Sequence, residues 1–559
     1  MMELSSDSES QPLIQMPGSP PRRGIHYLWS PRRFLYLPSK GAVLILFWTL
    51  VVGILYQLIT AGSILGLNTQ MEMNTTFYQV SVDIGVRTVF AIASCLYPLS
   101  GFVADVYVGH YRIIIFSLLL LLCGCISLSV GSVLYFSNVI ESQGAKIIHG
   151  KKEFFAVLSL GFSLIFVGFS GYQSNYIQLG LDQLQDAPSY SLGLFIHAVE
   201  WFMIIGRTLL PFIVSWSTCR YEKSVIRFLV SLPLLLVLML LVLIVVGWRK
   251  HKWFHTEPAQ HNPYRTVIQV ITFTLKRKYP IQCSSFTSSS EEQHSKLDHA
   301  KKKYGGPFTT EQIEDVKAFF KIIKILISLG PVFVLVVPAG LFYTKFVQHV
   351  TRPDVFNGSC NWKWIILDTG GLKFLAATVF FPIYIWLLYS MLRSRIPRIF
   401  TRLKIWIIIL VICVCSITAI DLIGHLLYHH HKHVGAVCML TTQESVTLNL
   451  SWVVVLLPAT LQALAPAMMV TTILEFITAQ SPYSMRGLLV GLFFAIMGFF
   501  QLLGSLILLP FYLPHFWSAE GNTPIVNCGF GYLITLCSIG IGGLLLFLLA
   551  SRRYQYRER

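Results

Sequence analysis

Runs of apolar residues alternate with short polar gaps along the whole chain, and most runs reach the roughly 20 residues that a helix needs to cross a bilayer. Twelve can be read: 41–67, 80–101, 113–136, 154–176, 192–216, 225–246, 319–346, 362–391, 405–423, 446–477, 488–510 and 530–550. A long polar stretch, 249–317, falls between the sixth and the seventh; it contains a serine-rich segment at 284–290 and the run Lys301–Lys303, and it reads as a partly disordered linker. The pattern predicts five units: a tail (1–40), a six-helix bundle (41–247), the linker (248–318), a second six-helix bundle (319–550) and a short tail (551–559). The predicted fold class is all-α, a polytopic membrane protein with twelve transmembrane helices in two bundles of six.

Composition agrees. Of the 559 residues 54% are hydrophobic and 12% charged, where a soluble chain carries about 25% charged residues; the mean hydropathy is +0.63. This excludes a soluble globular enzyme and makes the lipid bilayer the first partner. The net charge of +17 would suggest nucleic acid in a soluble protein. Here the basic residues cluster at Arg22, Arg23, Arg32 and Arg33, along 249–303, at Arg393, Arg395, Arg398, Arg402 and Lys404, and along 552–559, that is, in alternating gaps. That bias puts both termini in the cytosol and leaves no nucleic-acid role to explain. The first 21 residues are polar, so no cleavable signal is expected and the first apolar run serves as signal and anchor.

Candidate chemistry is sparse. The eleven cysteines show no metal-site spacing, and Cys123, Cys125, Cys413 and Cys415 lie inside apolar runs as packing residues. The run His429–His431 with His433 reads as a solvated loop, because adjacent residues converge poorly on one ion. No nucleotide loop or nucleophile elbow is present, so neither an enzyme nor a cofactor or metal site is expected. Three N-glycosylation acceptors, Asn74, Asn357 and Asn449, fall in or beside gaps assigned to the non-cytosolic side, and Cys360 and Cys438 lie in two such gaps where a disulfide between them can form. In the N-terminal tail, Glu9 precedes Leu13-Ile14 by four residues, which resembles an endosomal and lysosomal sorting signal read by an adaptor.

The segment 96–112, LYPLSGFVADVYVGHYR, carries Gly101, Asp105, Gly109 and Arg112. It resembles the loop between helices two and three of the major facilitator superfamily, in the version found in proton-coupled oligopeptide transporters. The entry to the seventh run (Glu314, Asp315, Lys317), the segment Leu474-Glu475-Phe476 with 481–487 and 491–494, and 168–175 with Gly180 to Leu184 resemble the peptide/histidine branch of that family. The resemblance implies two bundles that rock about a central site. It also implies symport of protons with di- and tripeptides or histidine, small zwitterions, out of an acidic lumen, and endolysosomal rather than plasma membrane. It gives gating roles to Gly101, Asp105, Gly109, Arg112, Asp182 and Glu475.

The departures from the pattern bear on mechanism. Aligned on Thr60-Ala61, the E-x-x-E-R of the family's first helix falls on Thr49, Val52 and Gly53; its fourth-helix lysine falls on Gln173, with Asn175 retained; and its tenth-helix glutamate falls on Pro466. In the seventh run Pro331 and Tyr343 stay in register while the positions between are Phe333, Pro338 and Gly340. An uncoupled carrier, a carrier of another solute, or a transport-impaired sensor or scaffold are therefore the alternatives to symport.

An ionisable side chain at the bilayer centre costs about 2.5–3.5 kcal/mol, so the survivors are the candidates. His197, Glu200 and Arg207 share one face of the fifth run. Glu200 reads as the substitute proton or amine site and Arg207 as its counter-ion or a carboxylate clamp, against a structural ion pair between helices. Lys373 in the eighth run either faces a substrate carboxylate or snorkels. Asp83 and Arg87 read as a local pair.

Overall fold

The computed structural model describes residues 39–70, 88–141, 150–184, 189–220, 225–254, 262–276, 296–302, 306–336, 350–351, 371–388, 396–431, 448–451, 453–507, 510 and 530–556. The helices are α1 (Lys40–Gln70), α2 (Leu96–Val103), α3 (His110–Glu141), α4 (Gly150–Asp182), α5 (Ser189–Arg220) and α6 (Val225–Arg249). They continue with α7 (Pro263–Lys276), α8 (Thr310–Ser328), α9 (Gly330–Phe333), α10 (Gly371–Trp386), α11 (Ile399–His431), α12 (Val453–Gln480), α13 (Arg486–Leu506) and α14 (Phe530–Arg552). Among the described residues, eight helices are long and apolar enough to cross a membrane. Several run past the predicted apolar segments, since hydropathy sees only the part inside the hydrocarbon. The histidines His429–His431 thus end helix α11 and are not a loop. Val350–Thr351 (β1) and Leu448–Ser451 (β2) pair in parallel, and Asn449 lies in β2.

Within the first half, α1 packs on α5, α3 on α4 and α3 on α6; within the second, α11 packs on α12 and α14. Two seams join the halves, α2 against α13 and α5 against α10. Small residues make the first seam: a Cβ on Gly101 would run into the backbone of Gly487, and one on Gly491 into that of Tyr97. The α5–α10 seam is pinned by hydrogen bonds. The Trp201 Nε1–H donates to the Thr378 carbonyl (3.0 Å), and the hydroxyls of Thr208 and Thr378 meet at 2.9 Å.

The linker carries ordered pieces. Helix α7 starts where Asn262 Oδ1 accepts the backbone N–H groups of Tyr264 (3.1 Å) and Arg265 (3.2 Å), with Pro263 at its first position. Helix α8 starts with a reciprocal cap between Thr309 and Gln312. A 3-10 turn, Lys296–Ala300, with Lys301 after it, is fastened to α8 by two ion pairs, Lys301–Glu314 (2.7 Å) and Lys317–Asp298 (2.6 Å), and each lysine also pairs locally, Lys301 with Asp298 (2.6 Å) and Lys317 with Glu314 (3.0 Å).

Burial by itself would raise the Asp298 and Glu314 carboxyls, but the two ammonium groups more than offset it and hold both below their ordinary values of 3.8 and 4.5. Acids depressed in the folded state stabilise above their ordinary values and release that stability as pH falls through the lower folded ones. Hydrogen-exchange protection of residues 296–302 should accordingly persist at neutral pH and vanish below about pH 4; protection unchanged under acid would contradict the assignment.

Candidate functional site

At the end of the molecule where the linker packs, here the linker face, a buried carboxylate joins three elements. Helix α2 runs into a π-helical turn, Ala104–Val108, that ends at Gly109 with φ 87°, a left-handed conformation suited to glycine. This turn points Asp105 at the start of α13. There its two oxygens accept the backbone N–H groups of Gly487 (3.2 Å) and Leu488 (2.9 Å), which an N-terminal helix dipole favours. The Tyr264 hydroxyl of α7 donates to Asp105 at 2.6 Å, with the Tyr264 ring 5.1 Å from that of Phe102. Beside it His110 offers Nε2 to Asp105 (3.4 Å) and Nδ1 to Asn175 Oδ1 (2.9 Å), and Asn175 donates to Ser100 Oγ (3.1 Å). A second bond across the halves runs from the Tyr483 hydroxyl to Asp182 (2.9 Å), whose carboxylate also accepts from Gln178 (2.7 Å).

Midway along α5 lies the second cluster. Glu200 is buried and accepts from the Tyr176 hydroxyl at 2.6 Å. The Tyr176 ring stacks on Tyr172, centroids 5.5 Å apart, and Tyr172 shares a hydrogen bond with Thr49 (2.7 Å). Two turns on, the Arg207 guanidinium sits 4.3 Å over the ring of Tyr56, which packs on Phe169. Among the described residues Arg207 forms no ion pair, and its buried Nε has no hydrogen-bond partner. His197, fully buried one turn from Glu200, turns its ring to Phe381 and Tyr384 of α10. A third cluster joins α11 to α12, where Arg402 Nη2 donates to Glu475 Oε1 at 2.7 Å.

His197, Glu200 and Arg207 thus share α5, as their spacing predicts, but face three different neighbours: α10, Tyr176 of α4 and Tyr56 of α1. Among the described residues Glu200 and Arg207 are not in direct contact, although the Arg207 charge acts on Glu200. Gly101, Asp105, Gly109 and Asp182 come together at the linker face, and Asn175, expected on the substrate path, belongs to the network there. Arg112 is exposed, Glu475 pairs with Arg402, and Gln173 is buried with its Oε1 accepting no bond among the described residues. Lys373 lies in α10 with its side chain outside the described residues, as does that of Asn449. Also outside them are Tyr343, Asn74, Asn357, Cys360, Cys438, Glu9, Leu13, Ile14, Asp83 and Arg87. Sequence reading missed Tyr176 and Tyr56 in apolar runs and Tyr264 in the polar linker, since a tyrosine carries no signal of its hydroxyl's partner in either setting. It also missed Arg402 as a partner of Glu475, having counted it with the basic gap.

Two helical halves, joined where a carboxylate caps the helix across their seam, define the major facilitator fold. The POT family transporter PepTSo has this fold, with a TM-score of 0.64 at 13% identity over 93% of this chain and 99% of that one. An auto-inhibited POT family peptide transporter gives 0.60 at 15% identity over 93% and 98%. The chain belongs to the POT family, whose model, PTR2, matches residues 111–515, and is a multi-pass membrane protein. Solute carrier family 15 member 2 of Rattus norvegicus is 26% identical over 48% of this chain and 34% of its own length, so the match spans about a third of that relative. Protein NRT1/PTR family 5.14 of Arabidopsis thaliana is 22% identical over 84% and 85%.

Losing a hydrogen bond to a buried charged acceptor costs about 1.5–3 kcal/mol. Tyr264→Phe should therefore loosen the α2–α13 seam. Cross-linking yield between cysteines placed on those two helices at the linker face should fall relative to the parent, and an unchanged yield would mean that Tyr264 does not hold it.

Proposed function

We propose that this protein is a proton-coupled carrier of di- and tripeptides or histidine, with coupling moved to the fifth helix. The observation that carries the reading is the pair of separate charges on α5, a buried Glu200 held by one hydroxyl and an Arg207 cation stacked on Tyr56 with no acid attached. Glu200 is the proton site, its carboxylate held by Tyr176. Arg207 receives a substrate carboxylate, for which its planar fork is suited. Residues 200 and 207 are about 10 Å apart along the helix axis. An extended dipeptide spans about 7 Å, and the two flexible side chains close the difference.

The basic gaps support cytosolic termini and a cytosolic linker face, with the two bundles bounded at residues 41–247 and 319–550. The tail motif at Glu9, Leu13 and Ile14 supports delivery to endolysosomes by an adaptor. There an acidic lumen loads Glu200 and the cytosol empties it. Asn74, Asn357 and Asn449 are then luminal glycosylation sites, and Cys360 and Cys438 face an oxidising compartment.

The test is uptake of labelled alanyl-alanine and histidine into proteoliposomes with and without an imposed pH gradient. Glu200→Gln should lower gradient-driven uptake at least about a hundredfold, as expected for loss of a proton-transfer group. Arg207→Lys, which keeps charge but loses the fork, should raise KM about tenfold. Full activity in both variants would remove these residues from the site; uptake indifferent to the gradient would indicate facilitated transport; and no uptake of either solute would favour another substrate or a scaffold.

A further inference from the structure

The start of α1 and the end of α6 meet at the linker face. Beyond Arg249 the chain makes a 3-10 turn, His251–Trp253, in which the Trp253 N–H donates to the Lys250 carbonyl (2.8 Å) and the Phe254 N–H to that of His251 (3.0 Å). Phe254 fixes the turn to the bundle: it is buried, stacks on Trp48 of α1 (5.4 Å) and packs on Tyr111 of α3 (5.0 Å). Gly41 lets the turn lie against α1, since a Cβ there would press on the Trp253 carbonyl. The Trp253 side chain, 38% exposed, therefore leaves the bundle at a place set by packing.

Two cations share that indole. The Lys40 ammonium lies 5.6 Å from the ring centroid and the Lys250 ammonium 5.4 Å. Both lysines are exposed, and among the described residues no carboxylate lies within ion-pair reach of either. The ring attracts each ammonium, but neighbouring charges of one sign repel unless an anion lies by them. Arg249, His251 and Lys252, all exposed, belong to the same corner. A basic run at a helix end is ordinarily just solvated; here packing brings cations from two distant parts of the chain to one aromatic side chain.

The surface beside this corner narrows the ligand. Leu235, Leu238, Leu241, Val242, Val245 and Trp248 are exposed at helical spacing and make one apolar stripe along α6 that runs up to Arg249. Such a stripe faces acyl chains, and Trp248 at its end suits the depth of the headgroups. Basic residues directly after a lipid-facing helix are matched in charge by anionic headgroups. A soluble anion would engage the cations and leave the stripe unused.

We propose that this corner binds an anionic phospholipid, its phosphate met by Lys40 and Lys250 beside Trp253 and an acyl chain lying along the α6 stripe. The lipid fastens the start of α1 to the end of α6 from outside the bundle. The site depends neither on the solute carried nor on proton coupling, so it stands or falls apart from the function proposed above.

The test uses the full-length protein in a nonionic detergent and counts the lipids retained in native mass spectra as dioleoylphosphatidylglycerol or dioleoylphosphatidylcholine is added. The parent should bind the phosphatidylglycerol at least about tenfold more tightly, and the pair Lys40→Gln with Lys250→Gln should lose about that factor. Lys40→Arg with Lys250→Arg keeps both charges and their attraction to the ring, and should retain the preference. Lys321→Gln with Lys324→Gln removes the same charge from exposed positions on α8, and should leave the preference as in the parent. Equal losses in the two glutamine pairs would mean diffuse attraction, and an equal loss in the arginine pair would mean a packing role; either overturns the site, as does a parent that does not distinguish the two lipids. Glycerol phosphate added in excess should not displace the lipid. Displacement would assign the corner to a soluble phosphate and overturn the lipid.

Discussion

A carboxylate with a side chain 1% exposed must obtain its hydrogen bonds from protein, and Asp105 obtains them from α13 and from α7, with His110 Nε2 3.4 Å away. Water would otherwise supply them, so the buried charge is a constraint on where those elements lie. It can reach the N–H groups of α13 because Gly101 and Gly487 let the two backbones touch. The π-helical turn and Gly109 then set its direction. Packing, backbone geometry and charge therefore act as one unit, and the linker takes part through Tyr264. A segment that hydropathy marks as a mere connection contributes a donor to the closed face.

Polar groups deeper in the molecule obey the same rule with fewer partners. Glu200 has the Tyr176 hydroxyl, and Arg207 has a ring instead of an acid. Glu200 is buried and Arg207 half-buried, and among the described residues neither contacts an opposite charge, the condition under which a group responds to a proton or a ligand. Thr49 stands where the family resemblance puts an acid, and it pairs with Tyr172. The helix has thus replaced a charge by a hydroxyl network that touches the stacked tyrosines beside Glu200.

Much of the architecture could be read from the sequence, because a helix that crosses hydrocarbon must be apolar for its full width and because basic residues mark the gaps. The order of the runs follows from such local patterns, whereas the gating role of the segment 96–112 is what the family resemblance implies. Asp105 was legible as a gate residue through the family resemblance, though the helix that donates to it, nearly four hundred residues away, was not. Other features were not readable. Which neighbour each of His197, Glu200 and Arg207 faces depends on the rotation of α5 and the positions of α1, α4 and α10, and a shared helical face does not encode a shared environment. The partners of Asn175, His110 and Ser100, come from other helices and were not readable either.

The two seams between the halves are built from different materials. One is close backbone contact closed at its end by two buried carboxylates, Asp105 and Asp182; the other is stitched by side-chain hydrogen bonds around Thr378. In the rocking carrier proposed above, the stitched seam acts as an axle and the close-packed one as a latch. Drift in the protein's sequence then has two separable effects. Changes at the latch reset which side the molecule rests open to, whereas changes at the axle alter how freely it swings.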